Sequence, residues 1–279
     1  SAANNTFIGF SAGHTTSTAG SNVYVGYQSG YNLNTTHNVV IGNNAASNGL
    51  TTSDSLVVIG SEAAYNGGGG SVIAIGKQTL YRPRGNYNVA IGEQAMYGNS
   101  STTTAQQNQA MGRRALFSAT SAQYNSAIGY QAGYLTTTGY SNVFLGHETG
   151  YSNTTGAGNT HIGSQAGYSG STGNNTVYIG NTAGLKNTTN DNVGIGTEAL
   201  LSGTSATNLV AVGRAAGKGV TTGHGIIAIG HSAAQESAAS THNVAIGWQA
   251  MYGGSGDSNR NIGIGTSTLL DITTGDSNV

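Results

Sequence analysis

No cysteine occurs among the 279 residues, so neither a disulfide nor a thiolate metal site can hold this chain together, and its redox compartment is not legible. Proline appears once, as Pro83. Only 7% of residues are charged, against roughly a quarter in an ordinary globular domain. The polar surface must therefore come from Asn, Thr, Ser, Gln and the 46 glycines. A net charge of −1 offers no field for gathering nucleic acid or anionic lipid, so neither is expected as a partner. No apolar run nears the roughly 20 residues that span a bilayer, which excludes membrane insertion by a helix. No signal peptide is visible, and Ser1 reads as the start of a processed or excerpted chain. Low charge and high Gly also suit disorder, but the aliphatic residues recur too regularly for that.

What the chain has in place of these is one phrase, repeated. NVAIGEQAMY at 88–97 and NVAIGWQAMY at 243–252 agree at nine of ten positions. Degenerate copies (TFIG, VYVG, VVIG, SAIG, VFLG, THIG, IGIG) run from Gly9 to Gly265, sixteen in all, and Asn278-Val279 opens a seventeenth. Successive anchor glycines lie 16 to 20 residues apart, most often 17. The residue before each anchor is always Ile, Val, Leu or Met: Ile8, Val25, Ile41, Ile59, Ile75, Ile91, Met111, Ile128, Leu145, Ile162, Ile179, Ile195, Val212, Ile229, Ile246 and Ile264. Two residues earlier stands a mostly β-branched residue such as Val23, Ile73 or Val244, while the residue between varies (Phe7, Ala90, His161, Gly194). Fixed, variable, fixed is the period-two pattern of a strand with one buried face. The pattern assigns the pre-glycine residues to the core and leaves the middle ones, many of them Ala, facing outward. On that assignment Ile128→Asp buries an unpaired charge and unfolds neighbouring repeats.

Three residues past each anchor comes a small residue (Ala12, Ser29, Ala95, Thr149, Ala250), which marks a close approach. The rest of each repeat is Thr, Asn, Gly and Ser, the chemistry of turns, and all length variation falls there. No helical period exists, and a β-sandwich would need strands of differing character. The expected fold is all-β: one parallel β-solenoid (β-roll) spanning 1–279, with about sixteen coils and equivalent strands stacked. One coil buries only two or three aliphatic side chains, at about 1.5–3 kcal/mol each. Ordering 17 backbones costs about 1–2 kcal/mol per residue, so only packing between coils makes the array stable.

With its preceding Asn or Ser, the V-A-I-G-x-x-A phrase resembles the head repeat of trimeric autotransporter adhesins (YadA-like heads). The longer form GYQAGYLTTTGYSN at 129–142 is similar to repeats of phage tail fibres and bacterial surface proteins. The resemblance covers essentially the whole chain. It implies a left-handed roll, a homotrimer, an extracellular or virion-surface location, and attachment to a host as the function. Repeats in that family are shorter than these, so the extra loop residues alter the coil or the packing between chains.

Little chemistry is written on this frame. The seven histidines occupy several different positions in the repeat, so stacking builds no ligand ladder from them, and no metal or other cofactor is expected. Asp54, Asp191, Asp257, Asp271 and Asp276 fall in loops, and no Ser/His/Asp grouping has positional logic. The expectation is a protein without catalytic residues. Tyr31, Tyr65, Tyr81, Tyr97, Tyr134, Tyr151, Tyr168 and Tyr252 sit five past the anchor, with Phe117 and Leu185 standing in, and read as a stacking ladder. Phe7, Phe10, Tyr24, Tyr27, Tyr130, Phe144 and Trp248 sit at variable positions expected to face outward. They would either stack on sugars and anchor a protein, or face another chain of an oligomer.

Three functions fit. An attachment rod of a surface adhesin or tail fibre explains repetition, low charge and resemblance together. A head-to-tail filament is the alternative, because the array begins and ends in phase with no polar cap; the same phasing suits an excerpt of a longer fibre. An ice-binding solenoid is a further alternative, weakened because Thr15-Thr16, Thr51-Thr52, Thr136-Thr137 and Thr221-Thr222 lie in the segment of variable length. Partners are therefore other copies of the chain, with a host glycan or protein beside them.

Overall fold

The computed structural model describes residues 4–48, 54–67, 69–82, 85–98, 104–253, 258–272 and 275–279. Ser1, Thr51, Thr52, Pro83 and Asp257 lie outside the described residues. The chain forms two compact units, Ser1–Ser141 and Asn142–Val279. Each is a solenoid of eight coils, and each coil contributes one three-residue strand ending at the pre-glycine residue. In the first unit these run from β1 (Thr6–Ile8) to β8 (Ser126–Ile128), and in the second from β9 (Val143–Leu145) to β16 (Ile262–Ile264). Within each unit every strand pairs in parallel with its sequence neighbour, equivalent residue on equivalent residue, as in Val89↔Gln109, Ala90↔Ala110 and Ile91↔Met111. There is no helix among the described residues. The β-solenoid is therefore as the repeat predicts.

Inside and outside are the reverse of the sequence expectation. The middle strand residue is the buried one: Val40, Ala74, Ala90, Ala110, Ala127, Ala211 and Ala245 are 0% exposed. The sixteen pre-glycine residues assigned to the core all face outward, fully or half exposed, from Ile8 at 59% and Ile128 at 40% to the half-buried Val25, Ile59, Ile75, Met111, Ile162, Ile179, Val212 and Ile246. Ile128→Asp accordingly places its charge in solvent rather than in the core. The physical reason is room. About seventeen residues per turn enclose a narrow interior that admits one column of side chains from the sheet, met by the small residue three past the anchor, as Ala95 and Ala132 show at 0%.

A compensation of volumes tunes that interior. Where the middle strand residue is large, the residue four past the anchor is Gly: Tyr24 with Gly30, Phe144 with Gly150, His161 with Gly167, Tyr178 with Gly184. A Cβ on Gly30 would lie 2.8 Å from the Tyr24 ring, and one on Gly184 2.5 Å from the Tyr178 ring. In four coils whose middle residue is Ala or Gly the partner is large and fully buried, Ala74 with Leu80, Ala90 with Met96, Ala110 with Leu116 and Gly194 with Leu200, whereas Ala127, Ala211 and Ala228 keep a small partner in Gly133, Gly217 and Ala234. The partner position is left-handed in either case, with φ 59° at Gly30 and 49° at Leu80.

The anchor glycine is fixed by stacking as well as by its backbone angle. Gly213 has φ 133°, and a Cβ there would stand 2.6 Å from the carbonyl oxygen of Gly230 in the next coil. No side chain fits between anchors stacked this closely.

Just before ten of the sixteen strands the chain buries an asparagine, and these side chains bind the following coil. Asn108 accepts the Asn125 N–H at 3.1 Å and donates to the Ala122 carbonyl at 2.8 Å. In the second unit Asn142 accepts from Asn159 at 2.9 Å and donates to Gly156 at 2.8 Å. Replacing Asn108 by Ala strands a buried N–H and a buried carbonyl, at about 1–3 kcal/mol each. The expected result is a loss of about 2–4 kcal/mol in urea unfolding of the variant; an unchanged midpoint would mean that water satisfies both groups.

Candidate interaction surfaces

Two outward columns dominate the surface of each unit. One consists of the pre-glycine residues and the other of the leading strand residues, two positions earlier. Val23, Ile73, Val143, Val210, Ile227 and Ile262 in the leading column are 37–40% exposed. Ile41, Ile91, Ile128, Leu145, Ile195 and Ile229 in the pre-glycine column are 36–42% exposed. No charged residue stands at any of these thirty-two positions, and twenty-eight are aliphatic or Met. Within each unit these partly exposed side chains form an uncharged apolar strip of several hundred Å2. That matches the roughly 300–600 Å2 of the largest apolar patch on a typical monomer, a patch that is often functional.

The seven aromatics expected outside divide into two groups. Tyr24 and Phe144 are 0% exposed and belong to the interior, because the middle strand position points inward. Burial pushes the Tyr24 hydroxyl up to about 12. Phe7 occupies the same inward position in the first coil, where its ring stacks on Tyr24 at 4.9 Å and remains 38% exposed. Phe10 and Tyr27, one past their anchors, stand outside and stack on each other at 5.6 Å. Tyr130 is exposed with the Arg113 guanidinium 5.8 Å from its ring, and Arg113 also holds Glu93 at 3.2 Å. Trp248 is half exposed in the second unit. The structure brings together Phe10 with Tyr27 and separates them from Tyr130 by several coils of the first unit, while Trp248 belongs to the second.

The tyrosine ladder exists as expected. Tyr65, Tyr81, Tyr97, Phe117 and Tyr134 stack face to face with centroids 5.0–5.4 Å apart, all half-buried. Tyr151 and Tyr168 do the same at 5.0 Å. With ring faces covered by neighbours, only edges meet solvent, so the ladder seals the coil edge and offers no platform for a sugar. Beside it runs a polar relay the sequence reading missed: Arg114 donates to Gln94, Gln94 to Gln78 and Gln78 to Glu62, at 2.9, 3.0 and 2.8 Å. Its signal was present, since all four residues stand two past their anchors.

His161 is an imidazole sealed in the second unit's interior beside Tyr178, whose hydroxyl burial also pushes well up. It lies between the rings of Phe144 and Tyr178, at 5.5 and 5.0 Å. Its Nε2 pairs with the Thr176 hydroxyl at 2.8 Å, and that hydroxyl donates to Asn159 Oδ1 at 2.7 Å. The hydroxyl proton being so used, Nε2 carries the hydrogen and Nδ1 is bare, and Nδ1 has no partner. Burial holds the ring down to about 3, so it is neutral under physiological conditions.

No cluster of three or more potential metal ligands occurs among the described residues. No helix there is long and apolar enough to cross a membrane. Compared with protein-family models, with curated proteins and with solved structures, the chain finds no match in any of the three.

Proposed function

We propose that this chain is a non-catalytic structural and attachment shaft that works as a side-by-side bundle of identical copies, most simply a homotrimer on a cell or virion surface. The observation that carries the reading is the uncharged aliphatic face of the sheet. Leaving several hundred Å2 of it per unit in water is unfavourable, and covering it approaches the about 800 Å2 per partner of a standard interface. A surface that repeats coil by coil is best matched by another that repeats at the same spacing, which a second copy supplies. The likeness of the V-A-I-G phrase to trimeric adhesin heads and to tail-fibre repeats agrees with this reading. The exposed Phe10–Tyr27 pair and Trp248 are then the residues for a host glycan or protein.

The ice-lattice alternative has less behind it. The hydroxyls of Thr120, Thr154, Thr188 and Thr221 each donate to a carbonyl of the next coil instead of lying free in a lattice. Light scattering tests the main reading. The expected mass is three times the 28.0 kDa of one chain. A chain that stays single across micromolar concentrations overturns it.

A further inference from the structure

The two outward columns look alike in the single chain yet differ in what they tolerate. Ile91 in the pre-glycine column and Ile73 in the leading column are both 37% exposed. Nothing in the isolated fold distinguishes them: both point away from the core, and both flank a buried middle residue. Over sixteen coils, however, the pre-glycine column never admits a polar residue. The leading column admits four: Thr6, Gln109, Ser126 and Thr160. The sixteen coils share one backbone geometry, so each column samples one environment sixteen times. A difference that the lone chain does not explain must come from what covers the face.

We infer that the dry centre of the contact between copies runs along the pre-glycine column, and that the leading column is its rim. This rests on the self-association reading and deepens it. An interface core is desolvated and depleted of polar groups, while its rim keeps access to water. A Gln at a dry centre would strand its amide, whereas at a rim it stays hydrated or bonds its counterpart on the next copy. Gln109 and Ser126 fall in successive coils, β7 (Gln109–Met111) and β8, and interrupt the rim at one height of the first unit. In a parallel bundle those coils meet their equivalents only when the copies are in axial register, so the pair also marks register, as a polar residue does in an otherwise apolar helical seam.

The experiment compares neighbouring positions on one strand of the full chain, Val89 and Ile91 of β6 (Val89–Ile91). Because the chain has no cysteine, Ile91→Cys and Val89→Cys each introduce a single thiol on a clean background. Under mild oxidation Ile91→Cys is expected to give a covalent dimer within the assembly, at least tenfold more than Val89→Cys. In parallel, Ile91→Asp is expected to weaken assembly at least 100-fold by light scattering and Val89→Asp less than tenfold. Monomer melting temperatures should fall equally for the two Asp variants, since both side chains face solvent. Equal or reversed cross-linking and dissociation in a chain that still assembles overturns the centre-and-rim assignment alone. A wild-type chain that never assembles overturns the self-association reading, and this one with it.

Discussion

Replacing Tyr178 by Ala is expected to lower the stability of the second unit by about 3–5 kcal/mol, and adding Gly184→Leu to return most of it. Tyr178 is 1% exposed, and its ring fills the space over Gly184. Removing it leaves a cavity that a narrow coil, held by the sheet on both sides, cannot collapse to fill. Gly184→Leu alone should also be damaging, because its Cβ would lie 2.5 Å from the ring at an already left-handed φ of 60°. Together the two changes recreate the pair that Ala74 and Leu80 form elsewhere in the chain. Leucine tolerates that backbone, for Leu80, Leu116 and Leu200 sit there at 47–51°. A denaturant double-mutant cycle should therefore show a large favourable coupling. Additive losses would mean that the two positions do not share one volume.

Acid should loosen the second unit through His161. The unfolded imidazole titrates near 6.5, while burial holds the folded ring down to about 3. The unfolded state therefore binds the extra proton first as pH falls. Stability is full above about 6.5 and declines with falling pH until about 3, where the folded ring also takes a proton. At pH 4 the loss is on the order of 3 kcal/mol. No charged side chain contacts the ring to soften this, since its neighbours are Phe144, Tyr178, Thr176 and Gly167. In His161→Phe, which continues the ring stack over Gly167, the stability difference between pH 7 and pH 4 should shrink by that amount. An unchanged pH profile would place the acid response in the carboxylates instead.

Much of the fold was legible because sixteen copies of one phrase repeat the same physical constraints. The invariant glycine, the small residue three past it and the tyrosine column each named a stacking position that the structure contains. What misled was the choice of face. A strand of three residues offers only two directions, and Val or Ile beside Ala suggests that the larger apolar residue is inside. In a coil this narrow the interior takes Ala, and the β-branched residues are turned outward. Tyr24 and Phe144 were misplaced for the same reason, since the Gly six residues further on, which makes room for each ring, was not weighed as its partner. His161 was likewise read as a variable outward residue although Gly167 stands in that relation to it.

The buried asparagines give each unit a direction in time. In most of these amides both groups point to the coil that comes after: Asn5 to Asn22 and Ala19, Asn159 to Thr176 and Gly173, Asn243 to Asn261 and Ser258, while Asn38 turns its NH2 to Thr35 of its own coil. A finished coil thus already displays an acceptor and a donor for residues not yet in place, and the coil still to come satisfies both. Growth by addition at the C-terminal side completes such an amide wherever one stands, and at Asn108 and Asn125 the new side chain also donates back to the amide of the coil before it. Such a chain can fold in the order in which it emerges from a ribosome or a pore, each turn serving as the mould for the next.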